Sequence, residues 1–122
     1  MFHIVKVLHI DDNQDITDLF SEFINSLGHT YFATNNSRDG LERIKNEKYD
    51  FIFLDMHMPK LSGIDVIESL EKEKILKDQK IVILSGFPFD NNQKKHLLNK
   101  QGIHGCLQKP IRFDQLVNAI AS

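Results

Sequence analysis

The chain has 122 residues, 15 basic and 17 acidic for a net charge of −2, 41% hydrophobic residues and a single cysteine, Cys106. That length is one domain's worth and can bury a core without a metal or disulfide staple, and one cysteine forms no internal bridge and favours a reducing compartment. The near-balanced charge argues against a nucleic-acid-binding domain, and no apolar run approaches the roughly 20 residues that span a membrane.

The start, Met1-Phe2-His3-Ile4-Val5-Lys6, lacks the basic stretch and small-residue cleavage site of a signal peptide, so a cytoplasmic protein is expected. Residues 4–10 (IVKVLHI) are rich in β-branched side chains and stop at Asp11-Asp12-Asn13, which predicts a buried strand. Ile16, Leu19, Phe20, Phe23, Ile24 and Leu27 recur at three-and-four spacing and predict one apolar helix face, ended by Gly28. A short strand over residues 30–34 follows, then a helix capped by Ser37 that buries Leu41 and Ile44.

Residues 51–54 (FIFL) are wholly apolar and predict a central strand covered on both faces. A loop from Asp55 carries Met58-Pro59 to Ser62, which with Asp65 resembles a capping box, and Ile64, Ile67 and Leu70 then face inward. Residues 81–84 form a fourth strand broken by Gly86-Phe87-Pro88-Phe89. A polar helix over about 91–100 closes at Gly102, residues 105–108 form a weakly marked strand, and a last helix bears Phe113, Leu116, Val117 and Ile120. Five strands alternating with five helices predict a doubly wound α/β fold with a parallel sheet, one domain over residues 1–122.

Ligands of open parallel sheets bind outside the carboxyl ends of the strands. Asp11 and Asp12 follow the first strand, Asp55 the third, Ser85 the fourth and Lys109-Pro110 the fifth, so three carboxylates, a hydroxyl and an ammonium should converge. Such carboxylates repel one another, and a hard divalent cation relieves that repulsion; oxygen ligands suit Mg²⁺ or Mn²⁺ better than zinc. Asp55 then keeps an oxygen free to attack a phosphoryl group, with Lys109 and the metal neutralising its charge and Ser85 hydrogen-bonding it. The constellation suits formation of an aspartyl phosphate.

At these residues, with Met58-Pro59 and Gly63 between them, the sequence resembles the receiver domain of two-component response regulators over essentially the whole chain. The resemblance implies a flavodoxin-like sheet of order 2-1-3-4-5 and no effector domain. It implies that Asp55 accepts a phosphoryl group from a sensor histidine kinase, or from a small acyl phosphate. It implies that Asp11, Asp12, Asp55 and the backbone carbonyl of His57 hold Mg²⁺, that Ser85 and Lys109 contact the phosphoryl group, and that the bond before Pro110 is cis. Partners are then a sensor kinase or a histidine phosphotransfer protein and a downstream protein target, with no direct contact to nucleic acid and no membrane insertion. The protein would catalyse only its own phosphoryl transfer and dephosphorylation. The competing functions are a Mg²⁺-dependent phosphohydrolase with an aspartate nucleophile and a phosphorylation-independent interaction module.

Three residues before Lys109, where the family carries tyrosine or phenylalanine, stands Cys106. The switch is therefore expected to run through the loop 86–89, with Cys106 as core packing rather than a redox group. His57 and Phe87, two residues past Asp55 and Ser85, occupy positions that tune loss of the phosphoryl group in the family. His3, His9, His29, His96 and His104 show no metal-ligand spacing and are expected at the surface or hydrogen-bonded, and Lys94-Lys95 are expected on a solvated face.

Overall fold

Period-two and period-3.6 stretches alternate along the chain as expected, and in the computed structural model, which describes residues 4–121, they give β1 (Lys6–Ile10), α1 (Gln14–Ser26), β2 (Thr30–Thr34), α2 (Ser37–Asn46), β3 (Phe51–Asp55), α3 (Gly63–Lys72), β4 (Ile81–Ser85), α4 (Asn91–Leu98), β5 (Ile103–Gln108) and α5 (Phe113–Ala121). The expectation for His3 lies outside the described residues. All strands are parallel, in the order β2-β1-β3-β4-β5. The sheet is doubly wound and flavodoxin-like, and every residue of β3, its middle strand, is buried.

Alternation along each strand divides the core in two. Leu8, Ile10, Ile52, Leu54, Ile81 and Ile83 pack with Ile44 of α2, Val66, Ile67 and Leu70 of α3 and Leu97 of α4. Val7, Phe51, Phe53, Val82 and Leu84 face the other way, against Phe20 and Ile24 of α1 and Leu116 of α5. No helix among the described residues is long and apolar enough to cross a membrane.

Several local expectations are corrected by tertiary context. The first strand begins at Lys6, not Ile4, because its first partners are Thr30 and, from Val7, Phe51; Ile4 is exposed. On α1 the buried line is Thr17, Phe20 and Ile24, and Leu19 and Leu27 lie off that stripe and are exposed. Asn36, not Ser37, caps α2: its side chain accepts from the Asp39 N–H, while the Ser37 hydroxyl is buried against Met58 Sδ at 3.2 Å. On α3, Val66 is buried together with Ile67 and Leu70, in addition to the expected inward face of Ile64, Ile67 and Leu70. The fourth helix stops at Leu98, so Gly102 belongs to the turn into β5. Phe113 and Val117 of α5 are exposed, although Phe113 stacks on Phe23 at 4.1 Å between ring centroids. A short 3-10 turn over Leu76–Asp78 had no signature in the sequence. Gly28 does end α1, with the positive φ of 88° that favours glycine there.

The capping box at the start of α3 forms in both directions: the Asp65 N–H donates to Ser62 Oγ at 3.1 Å and the Ser62 N–H to Asp65 Oδ2 at 2.9 Å. Ser62→Ala is therefore expected to cost about 1 kcal/mol, read as a lower urea midpoint. An unchanged midpoint would show that water replaces the box at no cost.

Candidate functional site

The carboxyl ends of β1, β3, β4 and β5 lie along one edge of the sheet, and each delivers one of the expected groups. Asp11 is the residue after β1, Asp55 ends β3, Ser85 ends β4 and Lys109 follows β5. Asp11, Asp55 and Ser85 are buried, while Asp12 is exposed beside them. One carboxylate oxygen from each of Asp11, Asp12 and Asp55 lies within 4.8 Å of the others. Lys109 Nζ donates to Asp11 Oδ2 at 2.8 Å and stands 3.4 Å from Asp55 Oδ1.

Backbone donors hold the carboxylates. Asp11 Oδ1 accepts the Asn13 N–H at 3.0 Å, and the Asn13 side chain caps α1 by accepting the Ile16 N–H. Asp55 Oδ1 accepts the His57 N–H at 3.3 Å. The Asn35 amide donates to the Asp11 carbonyl at 2.7 Å, a tie between β1 and the end of β2 that the sequence reading missed. At β4 the Ser85 hydroxyl accepts the Phe87 N–H at 3.1 Å, and its carbonyl accepts the Lys109 N–H at 2.7 Å. The Lys109–Pro110 bond is cis.

Gly63 closes the site from behind. Its N–H donates to the Met56 carbonyl at 2.9 Å, and a Cβ there would fall 2.6 Å from the Asp55 carbonyl oxygen. Only a residue with no side chain lets α3 start this close to the end of β3.

The electrostatics follow from burial and pairing. Burial and the neighbouring Asp11 charge push the Asp55 carboxyl above the usual carboxylate range, against the pull of Lys109 and the His57 N–H. Asp11 is also buried, which alone would raise it, but the pull of the His9 ring together with hydrogen bonds from Lys109 and the Asn13 N–H outweighs burial and holds it low. Burial works against the Lys109 charge, and the two carboxylates overcome it and raise its pKa. Two buried carboxylates thus carry opposite shifts, and a single ammonium faces three acidic groups. The donors are all oxygens, with no thiolate or imidazole among the three ligating side chains, so the set fits a hard divalent cation of the Mg²⁺ class rather than zinc.

The remaining expected residues surround this centre. The exposed His57 ring meets the Phe87 ring edge-on at 5.1 Å, and Phe87 is 66% exposed. Phe89 packs against the core, as do the buried Met56 and Met58. Cys106 is buried in that same core, where burial pushes its thiol up. Lys94 and Lys95 are exposed on α4. Among the histidines, His29 accepts the Val5 N–H at 3.1 Å, and His96 and His104 are exposed. His9 is fully buried and meets the expectation at Nδ1 alone, 2.7 Å from the Tyr31 hydroxyl; its Nε2 has no hydrogen-bond partner among the described residues. Its parity with Val7 on a strand read as buried was the one signal that could have placed it.

A model of the response regulator receiver domain matches residues 7–121. The chain is 22% identical over 117 residues to the polar-differentiation response regulator DivK of Brucella anthropi, covering 96% of this chain and 94% of DivK. It is 28% identical to the probable C4-dicarboxylate response regulator DctR of Bacillus subtilis, of which it spans half the length. The response regulator TrrA of Thermotoga maritima, solved in complex with Mg²⁺ and BeF, superposes with a TM-score of 0.79 at 25% identity, covering 97% of both chains.

Proposed function

The chain belongs to the response regulator receiver domain family of two-component signalling, and on that premise we propose that Asp55 is the phosphoacceptor of a Mg²⁺-dependent switch spanning residues 1–122. The observation that carries this reading is the pairing of a buried carboxylate, pushed upward by burial and by Asp11, with the Lys109 ammonium 3.4 Å away. Asp11, Asp12, Asp55 and the backbone carbonyl of His57 would hold the cation. When bound, Mg²⁺ neutralises charge on the phosphoryl oxygens and lowers the repulsion among the carboxylates.

The chain's own residues do the rest. A carboxylate oxygen of Asp55 forms a bond to phosphorus while the donor's P–N bond breaks and its electron pair leaves with the imidazole of a phosphohistidine. With an acyl phosphate the P–O bond breaks and the carboxylate departs. Lys109, already between Asp11 and Asp55, offers its remaining donors to a phosphoryl oxygen. Ser85 accepts from the Phe87 N–H, so its own proton is free to donate to another. That contact links the phosphoryl group to the loop 86–89, where Phe87 faces solvent and Phe89 faces the core. With Cys106 buried in place of an aromatic ring, this loop carries the change to the surface. The His57–Phe87 ring pair beside the site sets the access of water to the acyl phosphate.

The donor is a sensor histidine kinase or a histidine phosphotransfer protein, and the output is altered binding of a downstream protein or onward relay of the phosphoryl group, in the cytoplasm. DivK, 94% of which this chain covers, is named as a polar-differentiation response regulator.

The test is intact-mass measurement after incubation with a small acyl phosphate and Mg²⁺. One phosphoryl group per chain is expected, mapped to Asp55, with no adduct when the metal is chelated. No adduct from either an acyl phosphate or a histidine kinase would overturn the reading, and steady turnover of phosphate esters would favour a phosphohydrolase.

A further inference from the structure

His9 is a fully buried polar side chain that the proposed chemistry does not use, and its surroundings fix it closely. Its ring stacks on Phe20 of α1 at 4.5 Å and meets Phe53 of β3 and Tyr31 of β2 edge-on at 6.1 and 6.0 Å. Nδ1 lies 2.7 Å from the Tyr31 hydroxyl. Nε2 points at the site: it stands 3.6 Å from Asp11 Oδ2 and has no hydrogen-bond partner among the described residues.

Two neutral tautomers are available to this ring. With the proton on Nδ1, the ring donates to Tyr31, whose hydroxyl donates onward to the Thr17 carbonyl 3.1 Å away. The Nε2 lone pair then faces a carboxylate in a buried, dry setting, which is repulsive and leaves a buried acceptor unsatisfied. With the proton on Nε2, the Tyr31 hydroxyl turns to donate to Nδ1 over the shorter distance, and Nε2–H faces Asp11. Thr17 loses little, because its carbonyl sits inside α1, where the helix ladder supplies a donor.

We infer that His9 is a positioning residue for Asp11: the Tyr31 hydroxyl fixes the Nε2–H tautomer, and that N–H, held by three aromatic rings, orients the Asp11 carboxylate for a divalent cation. This inference rests on the reading of Asp11 as a metal ligand. At 3.6 Å the contact is electrostatic rather than hydrogen-bonded, and it acts on the direction of the carboxylate. Lys109 pulls on the same Oδ2, and His9 supplies a second donor that remains when Lys109 turns to a phosphoryl group. The arrangement is a histidine supporting a carboxylate ligand from the buried side, the outer shell that commonly sets metal affinity.

Two measurements test it. In the metal-free parent protein, two-bond ¹H–¹⁵N correlations of the His9 ring should show a neutral imidazole protonated at Nε2, and Tyr31→Phe should move the proton toward Nδ1. In Mg²⁺ titrations, His9→Leu, whose side chain suits the aromatic pocket, should bind about tenfold more weakly, while His9→Gln, which returns an N–H near the position of Nε2, should recover most of the loss. Native-like spectral dispersion in each variant separates positioning from misfolding. An Nδ1-protonated ring in the parent, or parental affinity in folded His9→Leu, would overturn the inference alone. A parent that binds no Mg²⁺ would overturn both this inference and the metal reading of the site.

Discussion

Asp55→Asn is expected to accept no phosphoryl group from any donor and to melt at a higher temperature than the parent in metal-free buffer. The first effect is chemical: the amide nitrogen replaces a nucleophilic oxygen, and the remaining amide oxygen carries no charge to share with phosphorus. The second follows from linkage. Burial and Asp11 raise the Asp55 pKa in the folded state, so the native protein binds that proton more tightly than the unfolded chain does. The sign is therefore a loss of stability as pH rises from the ordinary carboxylate range through the raised value, and above that value the whole penalty is present. Asparagine keeps the size and removes the charge, so the variant should lack that decline. With Mg²⁺ the order should narrow or reverse, because only the parent has the full set of ligands through which cation binding stabilises the fold. Melting curves across pH, with and without Mg²⁺, read both effects. An adduct on the variant would move the phosphoacceptor elsewhere, and a variant less stable than the parent in metal-free buffer would show that the Lys109 pair outweighs the repulsion from Asp11.

Gly63→Ala is expected to lower both stability and phosphorylation rate. The added Cβ would sit 2.6 Å from the Asp55 carbonyl oxygen and 2.9 Å from Met56 Cα. Both are backbone atoms of the strand end, and backbone yields less readily than a flexible side chain. Overpacking of this kind costs about 1–3 kcal/mol, and the better helix propensity of alanine returns at most about 1. The start of α3 must then move off β3, and the segment it displaces carries the His57 N–H that holds Asp55 Oδ1. The expected result is a lower urea midpoint together with slower uptake from an acyl phosphate. Gly105→Ala is the control, since a Cβ there meets nothing within 4 Å, and it should leave stability unchanged or slightly higher. Equal stability of Gly63→Ala and the parent would mean that α3 can shift at no cost.

These two residues also mark what was legible before the fold was known. Asp55 could be found by reading, because FIFL is wholly apolar, its end is therefore a buried strand end, and parallel strands present such ends together. The same logic located Asp11, Ser85 and Lys109. Gly63 entered through family resemblance alone, since nothing in its neighbours along the chain announces that a backbone carbonyl will lie beneath it. The misplaced details have a common cause. Leu19, Phe113 and Val117 satisfy the helical period and yet are exposed, because periodicity names a face without naming what covers its margins. Ser37 and Asn36 are both good caps, and the choice between them depended on Met58, 21 residues away, which takes the Ser37 hydroxyl.

By itself the sequence determined the α/β class, the strand ends and the types of group gathered there, because those depend on local period and on the rule that parallel strands share an edge. Tertiary structure alone decided how those groups divide the charge. His9 and Lys109, the latter 98 residues away and closer to Asp11 than to Asp55, hold Asp11 low against its burial, while burial and the Asp11 charge leave Asp55 raised. It also decided that His9, polar by composition and unremarked by spacing, is enclosed by rings from three different elements with one nitrogen aimed at the site. Distances between residues far apart in the chain, and the desolvation they share, exist only once the sheet has closed around them.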